Sequence, residues 1–186
     1  MKKTKKPIIT LSTKDCYDYK EMERYIEENC SETLDEYEKE KLLYDLISDI
    51  VDVEYSNMVE ELDNFINMHG NLFLHITDYG LWYGSINKAG IHLFHDATSF
   101  FKRLSKDIYD IDMEIYKDKV IVKCHHHDGT NYHELIPASK LTKKELLEWG
   151  KKIFNEDQYK EMKEIKNKQG LINFLEYNLP LEYVYN

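Results

Sequence analysis

The sequence predicts an α+β protein with an acidic N-terminal helical region, a central antiparallel sheet with one crossing helix, and C-terminal helices. Three observations carry that expectation. Apolar residues recur at helical spacing up to residue 70, the period changes to two between residues 71 and 137, and a helix-start signal follows Pro137. The regions so defined are 1–70, 71–137 and 138–186, the last two forming one compact unit. No repeat, low-complexity segment or Pro/Gly-rich linker interrupts them.

In the first region Tyr19, Met22 and Ile26 share a helical face, while Glu21, Glu23, Glu27 and Glu28 fill other positions. A break is expected at Asn29-Cys30-Ser31. Thr33 with Glu36 makes the T-x-x-E pattern of a capping box, ahead of an apolar stripe of Leu42, Leu43, Leu46, Ile47, Ile50 and Val51. A third helix is expected from Ser56-Asn57, with Met58, Leu62, Phe65 and Ile66 on one face and Gly70 as its stop. Strands are expected at 71–76, 81–86 and 91–94, with turns at Asp78-Tyr79-Gly80 and Asn87-Lys88-Ala89-Gly90. Asp96 is a natural N-cap for a helix carrying Phe100, Phe101 and Leu104. Ile111, Met113 and Ile115 alternate with polar neighbours, and strands over 120–127 and 132–136 meet through Asp128-Gly129. Thr142 with Glu145 caps a further helix, and short helices are expected at 157–168 and 171–177.

The 35 acids and 25 bases leave a net charge of −10, and its distribution is uneven. Residues 1–14 carry five lysines and no acid, whereas residues 15–69 hold 18 acids against 4 bases, a local charge of −14. A chain of this balance lacks the basic footprint of a strong nucleic-acid binder, although Lys2 to Lys6 offer a weak contact. No apolar run approaches 18 residues and the N-terminus has no apolar signal core, so a cytoplasmic protein with no membrane association is expected. Three widely spaced cysteines, Cys16, Cys30 and Cys124, read as reduced thiols.

The densest chemistry lies in Cys124-His125-His126-His127-Asp128-Gly129-Thr130-Asn131-Tyr132-His133. Strand alternation puts Cys124, His126 and His133 on one face, and His125, His127 and Tyr132 on the other. Thiolate and imidazole are zinc ligands, so Cys124, His126 and His133 form one candidate metal set, against a structural hairpin with partly exposed histidines. The spacing matches no zinc-finger, HExxH or deaminase pattern. Cys124 alternates with Val120 and Val122, which favours a small core residue over a nucleophile. There is no nucleophile elbow, and seven glycines give no phosphate-cradling loop, so no catalytic residue and no cofactor are expected. Trp82 and Tyr83 lie between Gly80 and Gly84, where an exposed aromatic would make an anchor for a partner.

Gly80-Leu81-Trp82-Tyr83-Gly84 and His126-His127-Asp128-Gly129-Thr130-Asn131-Tyr132 resemble recurring motifs of small accessory proteins from phages and mobile elements of low-GC Gram-positive bacteria, which read close to LGLWNGR and HHDGTNY. Tyr83 and Ser85 replace Asn and Arg of the first motif, and the likeness spans residues 71–136. It implies a mobile-element function, with anti-CRISPR or anti-restriction activity the commonest kind, and supplies no catalytic residues. With the −14 segment, it points to a non-enzymatic inhibitor acting in the host cytoplasm. Its expected partner is a host-defence nuclease or that nuclease's nucleic-acid complex, a CRISPR effector first and a restriction enzyme second. Glu21, Glu28, Asp35, Glu36, Glu60 and Glu61 would occupy the channel meant for phosphates, with Trp82 and Tyr83 as anchors. The competing expectation is a metal- or histidine-dependent enzyme or nucleic-acid factor centred on the histidine hairpin, with zinc as its cofactor.

Overall fold

The computed structural model describes residues 6–16, 18–30, 34–81, 84–102, 104, 110–126 and 129–179. The fold is α+β. Strand β1 (Ile9–Ser12) and a 3₁₀ turn lead to helix α1 (Tyr19–Cys30) and the long helix α2 (Glu36–His69). Strands β2 (Leu72–Leu81) and β3 (Gly84–Leu93), the short helix α3 (Ala97–Phe101) and strands β4 (Asp110–Ile115), β5 (Val120–His126) and β6 (Gly129–Pro137) follow. Helices α4 (Lys143–Ile153), α5 (Glu156–Glu164) and α6 (Lys168–Asn178) close the described chain. The six strands form one antiparallel sheet in the order β1-β4-β5-β6-β2-β3, with α3 on the crossover from β3 back to β4.

The second and third helices expected from sequence are one helix of 34 residues, about 51 Å long at 1.5 Å per residue. Ser56 and Asn57 do not break it, because both side chains find their partners one turn back within the same helix. Ser56 Oγ donates to the Asp52 carbonyl at 2.8 Å and Asn57 Nδ2 donates to Glu54 Oε2 at 3.0 Å. Its capping box also lies two residues later than expected. Asp35 accepts from the Glu38 amide at 2.8 Å and Glu38 Oε2 accepts from the Asp35 amide at 3.0 Å. Thr33 falls outside the described residues. Gly70, at φ +88°, stops the helix with its N–H bonded to the Ile66 carbonyl.

Turns expected at 78–80 and 87–90 are strand interior. β2 and β3 pair continuously from Leu72↔Leu93 to Leu81↔Gly84, so the hairpin is longer than expected. Gly80 and Gly90 sit inside the ladder, and at Gly80 the missing side chain admits the Thr130 carbonyl oxygen, 3.0 Å from where a Cβ would stand. Asp96, by contrast, caps α3 as expected, accepting from the Ser99 amide at 2.6 Å, and Thr142 with Glu145 forms the expected box on α4.

Two apolar clusters cover opposite faces of the sheet. On one face Met58, Leu62, Phe65 and Ile66 of α2 and Phe100 of α3 pack on Phe73, Met113, Val120, Val122 and Leu135. On the other, Leu146, Met162, Leu171 and Leu175 of the C-terminal helices pack on Leu72 and Ile91, at the β2–β3 edge. Burial of roughly 1.5 to 3 kcal/mol per large apolar side chain makes these clusters the main support of the fold. Among the described residues no helix is long and apolar enough to cross a membrane.

Candidate functional site

The two regions singled out by charge and by histidine content occupy different places. α1 carries Glu21, Glu23, Glu27 and Glu28, and residues 36–54 of α2 carry seven further acids. Only Leu43 is buried among the described side chains of residues 36–57, whereas Met58, Leu62, Phe65 and Ile66 anchor the other half of the helix. The acids therefore concentrate on the half of α2 that packs against α1. Glu21 and Glu28 are exposed, the latter 3.8 Å from Arg24, and Glu36 reaches Lys39 at 3.4 Å. Asp35 is the N-cap. Glu60 is exposed and Glu61 half-buried on the sheet-anchored half, where Asp63 turns inward and accepts from the Ala97 amide at 2.5 Å. Trp82 and Tyr83 lie outside the described residues.

Between α1 and the first turns of α2 lies a groove of about 410 Å³. Glu23 and Glu27 on one side and Glu36 and Glu40 on the other are paired at helical i,i+4 spacing, and Ile26 and Leu43 line it between them with Tyr37 and Lys39. Ile26 and Leu43 are buried, while Tyr37 is 76% exposed.

Among the described residues the histidine hairpin divides by face as alternation requires, and His127 lies outside them. β5 and β6 pair from His126↔Gly129 to Val120↔Leu135. On the core face Cys124 is fully buried, and burial pushes its thiol up to about 12, an inert core sulfhydryl. His126 Nε2 lies 2.8 Å from Asn131 Nδ2, and His133 Nδ1 lies 3.1 Å from Nε2 of His75 on β2. His75, His92 and His133 are all buried, packed with Phe94 and Phe100. Burial, and then the nearby charge of His126, pull the His133 imidazole down to about 4, so it is neutral at pH 7. The three residues considered for zinc thus share a face but have different neighbours. Among the described residues no group of three or more His, Cys, Asp and Glu side chains could hold a metal ion.

On the opposite face, beyond the reach of the C-terminal helices, a polar ladder crosses four strands. Ser12 donates to Asp112 Oδ1 at 2.6 Å, Asp112 Oδ2 lies 2.8 Å from His125 Nε2, and His125 Nδ1 lies 3.1 Å from the exposed Thr130 hydroxyl. Lys123 bonds Glu114 at 3.2 Å and Lys119 bonds Glu134 at 2.7 Å. Partial burial pushes the Asp112 carboxyl up, but hydrogen bonds from Ser12 and His125 and the charges of His125 and Lys123 outweigh it and hold it below its ordinary value. A carboxylate–imidazole–hydroxyl chain of this order can move a proton from Thr130.

The two sequence motifs meet at one end of the sheet. Tyr79 pairs with Asn131, and an added Cβ at Gly129 would stand 2.1 Å from the Gly80 carbonyl oxygen, at φ +142°. Only glycine fits there, which gives the D-G-T-N glycine a packing reason besides its turn. His75 and His92 were not singled out from sequence. Their signal was the period-two pattern that places His75 with Phe73 and Thr77, but the partner across the sheet depends on a strand order that local sequence does not encode.

No family model matches the chain, and neither a curated protein nor a solved structure matches it.

Proposed function

We propose that the protein is a non-enzymatic inhibitor of phage or mobile-element origin that binds a basic, nucleic-acid-handling host-defence protein, a CRISPR effector nuclease above others, and blocks it through its acidic helices. The observation that carries this reading is the concentration of acids on α1 and residues 36–54 of α2. Eleven carboxylates stand there against four cationic side chains. Nineteen residues of helix span about 28 Å, over which B-DNA presents about 17 phosphates. The two charge densities are of one order, and the apolar anchoring of the other half of α2 leaves this half free to face a partner. Glu21, Glu28, Asp35 and Glu36 lie on it, and Glu60 and Glu61 extend it toward the sheet. The motif likeness to phage accessory proteins supports the same reading.

Capture of candidate effector nucleases by the tagged protein, in low and in high salt, is the test. Binding that weakens steeply with salt is expected, and equal capture at both would remove charge mimicry as the mechanism. The chain of Asp112, His125 and Thr130 supports a second reading, a histidine-dependent enzyme on the hairpin. His125→Gln separates the two, leaving inhibition intact under the first and abolishing activity under the second.

A further inference from the structure

We infer that the groove between α1 and α2 is the seat of the contact, and that it takes arginine side chains from a helical or extended segment of the target protein. This deepens the inhibitor reading and rests on it.

Shape, floor and walls of the groove each restrict the occupant. A volume of about 410 Å³ is that of a small ligand site, enough for one or two long side chains and too small for a nucleic-acid backbone. Ile26 and Leu43 give it an apolar floor, which a bare cation or a phosphate-binding loop would not use but the methylene stem of an arginine would. Glu23 and Glu27 line it from α1 and Glu36 and Glu40 from α2, so a guanidinium entering between the helices meets carboxylates from both. Lys39 offsets one of the four and is already 3.4 Å from Glu36, which leaves the groove net negative. Tyr37, a large aromatic left 76% exposed at the rim, offers its ring for a guanidinium to stack on. Arginine is favoured over lysine because its planar fork matches both paired carboxylates and an aromatic face. Charge complementarity thus selects a basic protein segment, and the demand for arginine sets it apart from a second copy of this chain, whose groove carries the same sign and whose basic residues 1–14 include lysines but no arginine.

The full chain is titrated with a labelled amphipathic helical peptide bearing arginines at i and i+4, and with the same peptide carrying citrulline in their place. The arginine peptide should bind, and citrulline should weaken it by about tenfold or more. Glu27→Gln and Tyr37→Ala should each weaken the arginine peptide several-fold, whereas Glu161→Gln, an equal charge change on the far helix α5, should not. Circular dichroism of each variant confirms that α1 and α2 persist. Equal binding of both peptides, or an equal loss from Glu161→Gln, overturns the groove. Capture of the nuclease keeps the two proposals apart. A nuclease captured equally by wild type and by Glu27→Gln overturns the groove and leaves the inhibitor reading standing, and arginine-peptide binding without capture of any nuclease supports the groove and removes the inhibitor.

Discussion

His133 shows how a single side chain ties this sheet to pH. It is buried with His75 and His92, and its folded-state pKa of about 4 lies below the ordinary 6.5. The unfolded chain therefore binds the extra proton first as acid is added. Stability from this group is complete above pH 6.5 and is lost as pH falls toward 4, by about 3 kcal/mol at the bottom of that window. Urea midpoints should fall between pH 7.5 and pH 5, and His133→Gln should flatten that slope. A wild-type slope no steeper than the variant's would show that the site is solvated. The two faces of the hairpin were legible in the sequence, because alternation fixes which of Cys124, His125, His126 and His133 look the same way. Their partners were not, since His75 lies 58 residues away on a strand whose place beside β6 is decided by the whole sheet.

At the scale of elements, the apolar pattern and the cap signals located the α-helices of the described residues but not where one helix ends and another begins. Residues 36–69 contain no glycine and no proline, and a serine and an asparagine can cap or can ride on a helix surface. Tertiary anchoring of Met58, Leu62 and Phe65 decides for the second. β1 was missed for a related reason. Four residues after a basic tail carry little periodicity, and what makes them a strand is pairing with β4. Asp35 has both a structural and a proposed binding role, and substitution can divide them. Asp35→Ala removes the cap and should cost about 1 kcal/mol, whereas Asp35→Asn keeps the acceptor and should cost far less. Both remove one negative charge, so both should weaken target binding alike. Equal destabilisation by the two substitutions would mean that the cap contributes little to α2.

For the molecule as a whole, the acidic block and the sheet make opposite use of charge. On the sheet, Lys123 and Lys119 are matched to Glu114 and Glu134, so that face is internally compensated. On α1 and the first half of α2, Glu23 and Glu27, Glu36 and Glu40, and Asp45 and Asp49 repeat like charge at i,i+4, and Arg24–Glu28 and Lys39–Glu36 offset only part of it. Each like-charge pair costs about 0.2 to 0.5 kcal/mol, so the isolated protein carries an unfavourable term on the order of 1 kcal/mol. Salt screens that repulsion, the Debye length shrinking from about 30 Å at 0.01 M to about 10 Å at 0.1 M. The free protein should therefore become more stable as sodium chloride rises at fixed pH 7.5, while its grip on a basic target weakens. Opposite signs distinguish a surface kept acidic for a partner from a merely solvated one. The measurement is a urea midpoint at low and at moderate salt, with Glu27→Lys expected to reduce the salt effect. A midpoint that stays level or falls in salt would mean that the carboxylates are balanced within the chain, and nothing would then be left for a basic surface to relieve.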